Sequence, residues 1–418
     1  NFRFFGVGDE DQKRHLCRLQ NVILVLIHTL AYTIIYLRTE DEKALMFFGA
    51  QLLFFFLYMG LYRLFYHNLS RLLLNNACML LSTSFIIMTR LSMDRAVRQF
   101  AIVVAAAAVT MIIPFIMDRA WQLSKIPWVY GSIGLLLLLV VCVMGNTAFG
   151  AQLSITIGGF SFQPSEFVKI SFVFFVATMF YRSTDFKTVV ITTAAAAAHV
   201  LVLVLSKDLG SALIFFVTYL LMLFVATNNW LYLGLGAGCG SAAAVFAYQM
   251  FSHVRTRVEA WLDPWSDIAG KGYQISQSLF AIGTGGWFGM GLYQGMPSKI
   301  PVVEKDFIFS AISAELGGLY ALCLILICLG CFMQFMLIAV RMQAMFYKLI
   351  AFGLGTAYIV QVFLTIGGVT KFIPSTGVTL PFVSYGGSSI LSTFIVFNVV
   401  QGLYILKRNE EEEEYEAE

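Results

Sequence analysis

The chain has 418 residues, 59% of them hydrophobic and only 12% charged, against roughly 45–50% and about 25% in soluble domains. That balance excludes an ordinary soluble domain and points to an all-α polytopic membrane protein. A net charge of +3 gives no case for a nucleic-acid partner.

A bilayer core of ~30 Å needs about 20 apolar residues per helix. On that measure twelve spans are predicted, near 21–37, 44–66, 72–89, 98–117, 127–145, 164–181, 187–206, 209–227, 229–252, 307–340, 345–367 and 384–406. The tenth is long enough to tilt or to run past the membrane. The start of the eighth is ambiguous at Asp208-Leu209-Gly210. An even number of spans puts both termini on one side. With the long 253–306 segment set aside, Lys and Arg favour that side, which is therefore expected to be cytoplasmic. The organisation expected is an N-terminal tail with two helices (1–70), a membrane core (71–408) and an acidic tail (409–418). The closing run "KRNEEEEEYEAE" is expected to be disordered and solvated. Nothing at the start reads as a cleaved signal peptide.

Seven cysteines lie mostly in apolar runs with no CxxC, so no disulfide framework is expected. Neither HExxH nor a GxxxxGK[ST] loop occurs.

Charges inside apolar spans are expensive, about 2.5–3.5 kcal/mol at a helix centre, and usually face a cavity or a partner. In "FQPSEFVKI", Glu166 and Lys169 share one helix face at i,i+3. They read either as a structural ion pair or as a polar groove entering the bundle. Lys207 and Asp208 sit at an external turn, as a helix cap or as part of the same polar site. Glu304, Lys305 and Asp306 stand at the mouth of an apolar helix. They mark the membrane edge, or else Asp306 is a half-buried carboxylate whose pKa rises toward that of a useful base.

The long 253–306 loop carries Arg255 and Arg257, which match phosphate in a bidentate way or snorkel past a span end. Its Trp261, Trp265 and Trp287 suit a membrane interface. Gly283, Gly285, Gly286, Gly289 and Gly291 indicate flexible or closely approaching backbone, outside any strand–turn–helix context. Asp263 and Asp267 flank Pro264 as turn residues.

Four blocks together resemble the SEDS family of peptidoglycan polymerases (RodA, FtsW and SpoVE). They are "FQPSEFVKI" (162–170), "DLGSAL" (208–213), the segment running from "LDPWSDIAGKGYQ" to "DFIFSAISAELG" (262–317), and "STGVTLPFVSYGGSSIL" (375–391). The resemblance runs from about residue 70 to residue 408. The first two spans then look like additions to a ten-helix core. "TGVTLPFVSYGG" is nearer to the division and sporulation branches.

The resemblance implies polymerisation of lipid II, an undecaprenyl-pyrophosphate disaccharide-pentapeptide, with Asp306 as the catalytic base. Glu166, Lys169 and Asp208 match polar positions of the family, and Arg255, Arg257, Lys305 and Ser384 are expected to join them in binding substrate. A divalent cation, Mg²⁺ or Mn²⁺, is expected as cofactor, with Glu166 and Asp208 as candidate ligands. The partner implied is a class B penicillin-binding protein transpeptidase, beside other divisome or elongasome membrane proteins. The chain departs from the family at two places. Glu304-Lys305 stands where the family has His-Thr, and the first external loop reads "QLSITIGG", without the family's Arg and Trp. Two other readings remain open: a lipid II flippase or other transporter, and an inactive scaffold that activates a partner.

Overall fold

The structure is a computed structural model that describes residues 2–117, 120–148, 151–157 and 160–417. Among the described residues, twelve helices are long and apolar enough to cross a membrane, as the apolar runs predict. Helices suit the setting because the bilayer core offers no water to satisfy backbone groups.

A short helix α1 (Phe2–Phe5) precedes the first two spans, α2 (Glu10–Thr39) and α3 (Glu42–Phe65). Asp9 and Asp41 cap these spans, accepting from the amides of Asp11 and Lys43 at 3.0 and 2.9 Å. Both spans are largely exposed along their length and lie against the rest of the bundle. Buried polar contacts fix them there. His28 Nδ1 meets Ser82 Oγ at 2.8 Å, Tyr32 OH meets Thr89 Oγ1 at 2.7 Å, and Tyr62 OH donates to Asn398 Oδ1.

The core follows with α4 (Arg71–Leu91), α5 (Met93–Thr110), α6 (Ile113–Met117), α7 (Pro127–Met144), α8 (Pro164–Arg182), α9 (Phe186–Leu205), α10 (Leu209–Thr227) and α11 (Trp230–Met250). Helices α5 and α6 together make one span. Then come α12 (Ser252–Leu262) and α13 (Tyr273–Gly285) within the long loop, and α14 (Ile308–Arg341), α15 (Met345–Val369) and α16 (Gly387–Ala417). Helices α4 and α8 are almost wholly buried, and α15 and α16 mostly so. They form the centre, with α7, α9 and α11 outside. No described residue of α11 is buried.

Three features differ from the sequence reading. The segment before α8 forms a small antiparallel sheet of β1 (Asn146–Ala148), β2 (Ala151–Ile157) and β3 (Phe160–Phe162), paired in that order. The long tenth run does not simply tilt. It breaks at Gly317, where φ is +89°. There the glycine-rich loop crosses the helix, and its backbone takes over the broken bonds. Gly318 N–H donates to Gly286 O (2.8 Å), Leu319 N–H to Trp287 O (3.0 Å) and Met290 N–H to Ala314 O (2.9 Å). A Cβ on Gly317 would lie 2.3 Å from Gly289 N, so the crossing needs glycine. Last, the acidic tail is helical to Ala417 rather than irregular. Lys407–Glu410 and Arg408–Glu411 pairs at i,i+3 stitch it, and Asn68 Nδ2 donates to Glu412 Oε2 at 2.7 Å.

Candidate active site

The segments that carry the charged residues converge where α10, α12 and α14 begin, under the loop that joins α15 to α16. Asp208 settles the start of α10 by capping it. Its Oδ1 accepts from Ser211 N–H at 3.1 Å, and its Oδ2 accepts from Ser165 Oγ of α8 at 3.2 Å. Gly210 is packed against this same loop. A Cβ there would lie 2.4 Å from Val378 Cγ2 and 3.1 Å from Thr376 O.

Asp306 is the second residue before α14 and is half-buried. The turn segment that carries it is tied to the 380–385 turn. Ser384 Oγ accepts from Leu380 N–H (2.8 Å) and donates to the carbonyl of Lys305. Tyr385 N–H donates to Glu304 O at 2.7 Å. Beneath this turn Ser84 Oγ donates to Val383 O (2.8 Å), and Gln99 Nε2 reaches Ser84 Oγ (2.8 Å) and Ser384 O (3.3 Å). Ser384 is fully enclosed, so its role here is to hold the backbone of the acid in register.

Arg257 faces Asp306 across Gly377. A Cβ placed on Gly377, whose φ is +77°, would lie 3.6 Å from Arg257 Nη2 and 3.9 Å from Asp306 Oδ2. Arg257 Nη1 also donates to Ser375 O at 3.3 Å. A side chain at position 377 would need a left-handed backbone and would intrude between cation and acid. Trp261, one turn further along α12, fixes that helix by donating its Nε1–H to Lys371 O at 3.2 Å.

Burial raises the Asp306 carboxyl from 3.8 to about 6, with Arg257 and Lys305 pulling the other way and Glu304 adding to the rise. Asp208 is also raised by burial, against the hydrogen bonds from Ser211 and Ser165. Arg257 lies in the field of both acids. The site therefore sets one guanidinium beside two carboxyls raised by burial, at one end of the helix bundle. That arrangement can accept a proton at Asp306 and hold an anion at Arg257.

The other candidate residues are placed as follows. Glu166 and Lys169 are buried and paired, Nζ to Oε2 at 2.8 Å. Lys169 also donates to Gln361 Oε1 (2.7 Å), and Glu166 accepts from Ser392 Oγ (2.8 Å). Gln361 Nε2 continues to Thr379 O at 3.0 Å. This knot joins α8, α15, α16 and the 375–386 loop below the site. Lys305 is exposed at the surface beside Asp306. Arg255 is exposed and turned back over its own helix start, donating to Gln249 O at 3.0 Å. Glu304, which replaces the family's His, pairs with Arg95 of α5. The glycine pair in "QLSITIGG" lies outside the described residues, as do the side chains of Gln152, Leu153, Thr156 and Ile157.

Glu166 and Asp208 do not form a metal centre as they stand. Each already accepts hydrogen bonds from α8 or α10 neighbours, and Glu166 is neutralised by Lys169. Among the described residues, no three His, Cys, Asp or Glu side chains converge. This donor set does not fit a protein-held Mg²⁺ or Mn²⁺, which takes oxygen ligands in number.

Sequence reading did not single out Gly377, Ser165, Gln361 or His253. His253 is one turn before Arg257 on α12, and its buried Nε2 has no hydrogen-bond partner. Burial, with Arg257 and Lys207 nearby, holds this imidazole below its usual pKa. Its i,i+4 relation to Arg257 was the available signal.

Residues 62–409 match a family profile described as "Cell cycle protein", built on FtsW, RodA and SpoVE. Among curated proteins, the peptidoglycan glycosyltransferase RodA of Mycobacterium tuberculosis is 34% identical over 316 residues, covering 71% of this chain and 67% of its own. A probable peptidoglycan glycosyltransferase FtsW of Geobacter metallireducens is 33% identical over 307 residues, covering 71% and 80%. The two identities differ by too little to support the leaning toward the division and sporulation branches. Among solved structures, one described as a peptidoglycan synthase complex that coordinates polymerisation and crosslinking aligns with TM-score 0.69 at 22% identity, covering 82% of this chain and 98% of that one. RodA of Thermus thermophilus aligns with TM-score 0.58 at 20% identity, covering 80% and 96%. The profile match begins at the end of α3, spans the whole core and takes in every residue of the site, so the chain belongs to the FtsW/RodA/SpoVE family.

Proposed function

We propose that this chain is a peptidoglycan glycosyltransferase that polymerises lipid II at the outer face of the cytoplasmic membrane. The observation that carries the reading is Asp306, raised to about 6 by burial, facing Arg257 across Gly377. Such an acid is largely ionised at neutral pH yet basic enough to take a hydroxyl proton.

In the reaction, the 4-hydroxyl oxygen of the acceptor GlcNAc attacks the anomeric carbon of the lipid-linked sugar. Its proton passes to Asp306 as the glycosidic bond forms. The bond from that carbon to pyrophosphate breaks, and undecaprenyl pyrophosphate leaves with the electron pair. Arg257 stabilises the charge that develops on it. Asp208 holds the start of α10 and, through its field, Arg257. Any Mg²⁺ or Mn²⁺ requirement would rest on the oxygens of the pyrophosphate, and the steps above use the chain's own residues.

Both termini are taken as cytoplasmic, with the 253–306 loop outside. A class B penicillin-binding protein is the proposed partner, in keeping with the crosslinking complex among the structural neighbours. Transport is disfavoured because Glu166 and Lys169, two buried charges within a span, are locked to each other and to Gln361 and Ser392.

The test is polymerisation of purified lipid II by the full chain, with and without a class B partner, beside Asp306→Asn. Glycan strands from the wild type and none from the variant are expected. Equal product from both removes Asp306 from the mechanism. Lipid II binding without product from either moves the reading to transport or scaffolding.

A further inference from the structure

At the opposite end of the bundle from Asp306 is a cavity of about 280 Å³ that the proposed reaction does not use. The start of α2 and the ends of α14 and α16 form it, and α1 closes it with Phe4 and Phe5. Four cations line it, Lys13, Arg341, Lys407 and Arg408, against two carboxylates, Glu10 and Glu411. The ion pairs there leave the cations under-compensated. Lys13 pairs with Glu10 at 3.1 Å, but Lys407 meets the exposed Glu410 only at 3.6 Å and Arg408 meets Glu411 at 3.8 Å. Arg341 has no ion-pair partner among the described residues. The Lys407 side chain is nine-tenths buried along its stem, and its ammonium opens to solvent without a close counter-charge.

A second observation bears on what kind of anion would fit. An apolar groove runs between α2, α4 and α14, lined by Met79, Leu324 and Ile327 with Phe2 of α1 at one side. Two amides that line it are nearly fully buried, and each has an atom without a partner, Asn75 Oδ1 and Asn76 Nδ2. Groove and cavity follow one stripe of α14. Tyr320 and Ile327 line the groove, Gln334 and Arg341 line the cavity, and each is seven residues from the next. From Ile327 to Arg341 is about 21 Å along the helix, more than the ~15 Å hydrocarbon depth of one leaflet.

We propose that this stripe binds a phosphate-bearing amphiphile, an anionic glycerophospholipid of the leaflet on the side of the termini. The phosphate sits among Arg341, Lys407 and Arg408, and an acyl chain follows α14 into the groove. The residues involved are remote from Asp306, so the site bears on how the bundle is held and not on the transfer step.

The test uses the full chain purified in mild detergent. Retained phosphatidylglycerol and phosphatidylcholine are quantified by mass spectrometry after washing, and the unfolding midpoint is read with each lipid and with inorganic phosphate. The wild type is expected to retain phosphatidylglycerol over phosphatidylcholine and to lose that preference in 1 M NaCl. Each cation removed should weaken retention about five-fold. Arg341→Gln/Lys407→Gln should therefore bring it near the phosphatidylcholine level, while Arg341→Lys/Lys407→Arg should keep it. If the neutral variant fails to fold, the salt dependence and the conservative variant decide. Protection by inorganic phosphate equal to that by phosphatidylglycerol would assign the phosphate chemistry to a soluble ligand and overturn the lipid. Equal retention by wild type and neutral variant, or no preference between the lipids, would overturn the site.

Discussion

The Asp306–Arg257 relation makes a quantitative prediction about pH. With the carboxyl at about 6, the base is roughly 10% ionised at pH 5, where an ordinary aspartate would be almost fully so. The ionised form is the active one, so kcat/KM should fall about ten-fold per pH unit below 6 and level off above it. Arg257 favours the ionised form, so Arg257→Gln should move this limb to higher pH. The size follows from the geometry. Both groups lie within 3.9 Å of one point at Gly377, so they are less than about 8 Å apart. At an effective dielectric constant of about 20 their attraction is then about 2 kcal/mol, or between one and two pH units. Screening by water and salt draws the result toward the lower figure. The assay is the initial rate of lipid II polymerisation from pH 4.5 to 8 at constant low ionic strength. Arg255→Gln serves as the control, because Arg255 points away from the site and should leave the limb in place. A wild-type limb near 4, or a limb that stays put in Arg257→Gln, would refute the reasoning.

Asp306→Asn should stabilise the protein at neutral pH even as it abolishes turnover. A folded pKa raised above the unfolded value means the native state binds the extra proton between about pH 4 and 6, so wild-type stability falls as pH rises through that window. For a half-buried acid the gain in the variant is about 1–3 kcal/mol, read as a higher thermal midpoint at pH 7.5 that vanishes near pH 4. Breaking the buried pair by Glu166→Gln or Lys169→Met alone should cost about 3–5 kcal/mol, whereas the double change should cost less than either; a cycle of thermal midpoints checks this. Ser384→Ala strands the Leu380 amide and the Lys305 carbonyl. The cost should be about 1–3 kcal/mol, appearing as a fall in kcat with little change in KM, since Ser384 positions Asp306 without facing solvent.

The membrane fold was legible because its signal is long and local. Each apolar run of about 20 residues declares itself, and the caps at Asp41 and Asn229 fall close to the run starts at 44 and 229, whereas Asp9 caps α2 well before its run at 21. Features set by contacts between distant segments were not legible. The break at Gly317 depends on residues 286–291 crossing it, thirty positions earlier in the chain, and nothing in "AELGGLY" announces that partner. The glycine run hinted at close approach but not at what it approached. The tail was misread for a related reason. Like charges suggested solvation, while the Asn68–Glu412 contact depends on where α16 ends relative to the α3–α4 turn.

The site divides in the same way. Asp306 and Asp208 stand out as acids at helix starts, and Arg257 as a cation just past a span end, where burial makes charge costly and therefore informative. Their separation of roles does not show in the sequence. Glu166 and Lys169 look as catalytic as Asp306 until the structure pairs them with each other and ties them to Ser392 and Gln361. A buried charge that is already satisfied holds helices together; one left with an open face can act on a substrate. Asp306 is of the second kind because Gly377, with no side chain, leaves the space between it and Arg257 unfilled. The acid at the mouth of α14 and the glycine 71 positions later thus form one device. A methyl group at position 377 should impair it almost as surely as loss of the carboxylate, through a crowded approach and a left-handed backbone that costs about 1–2 kcal/mol.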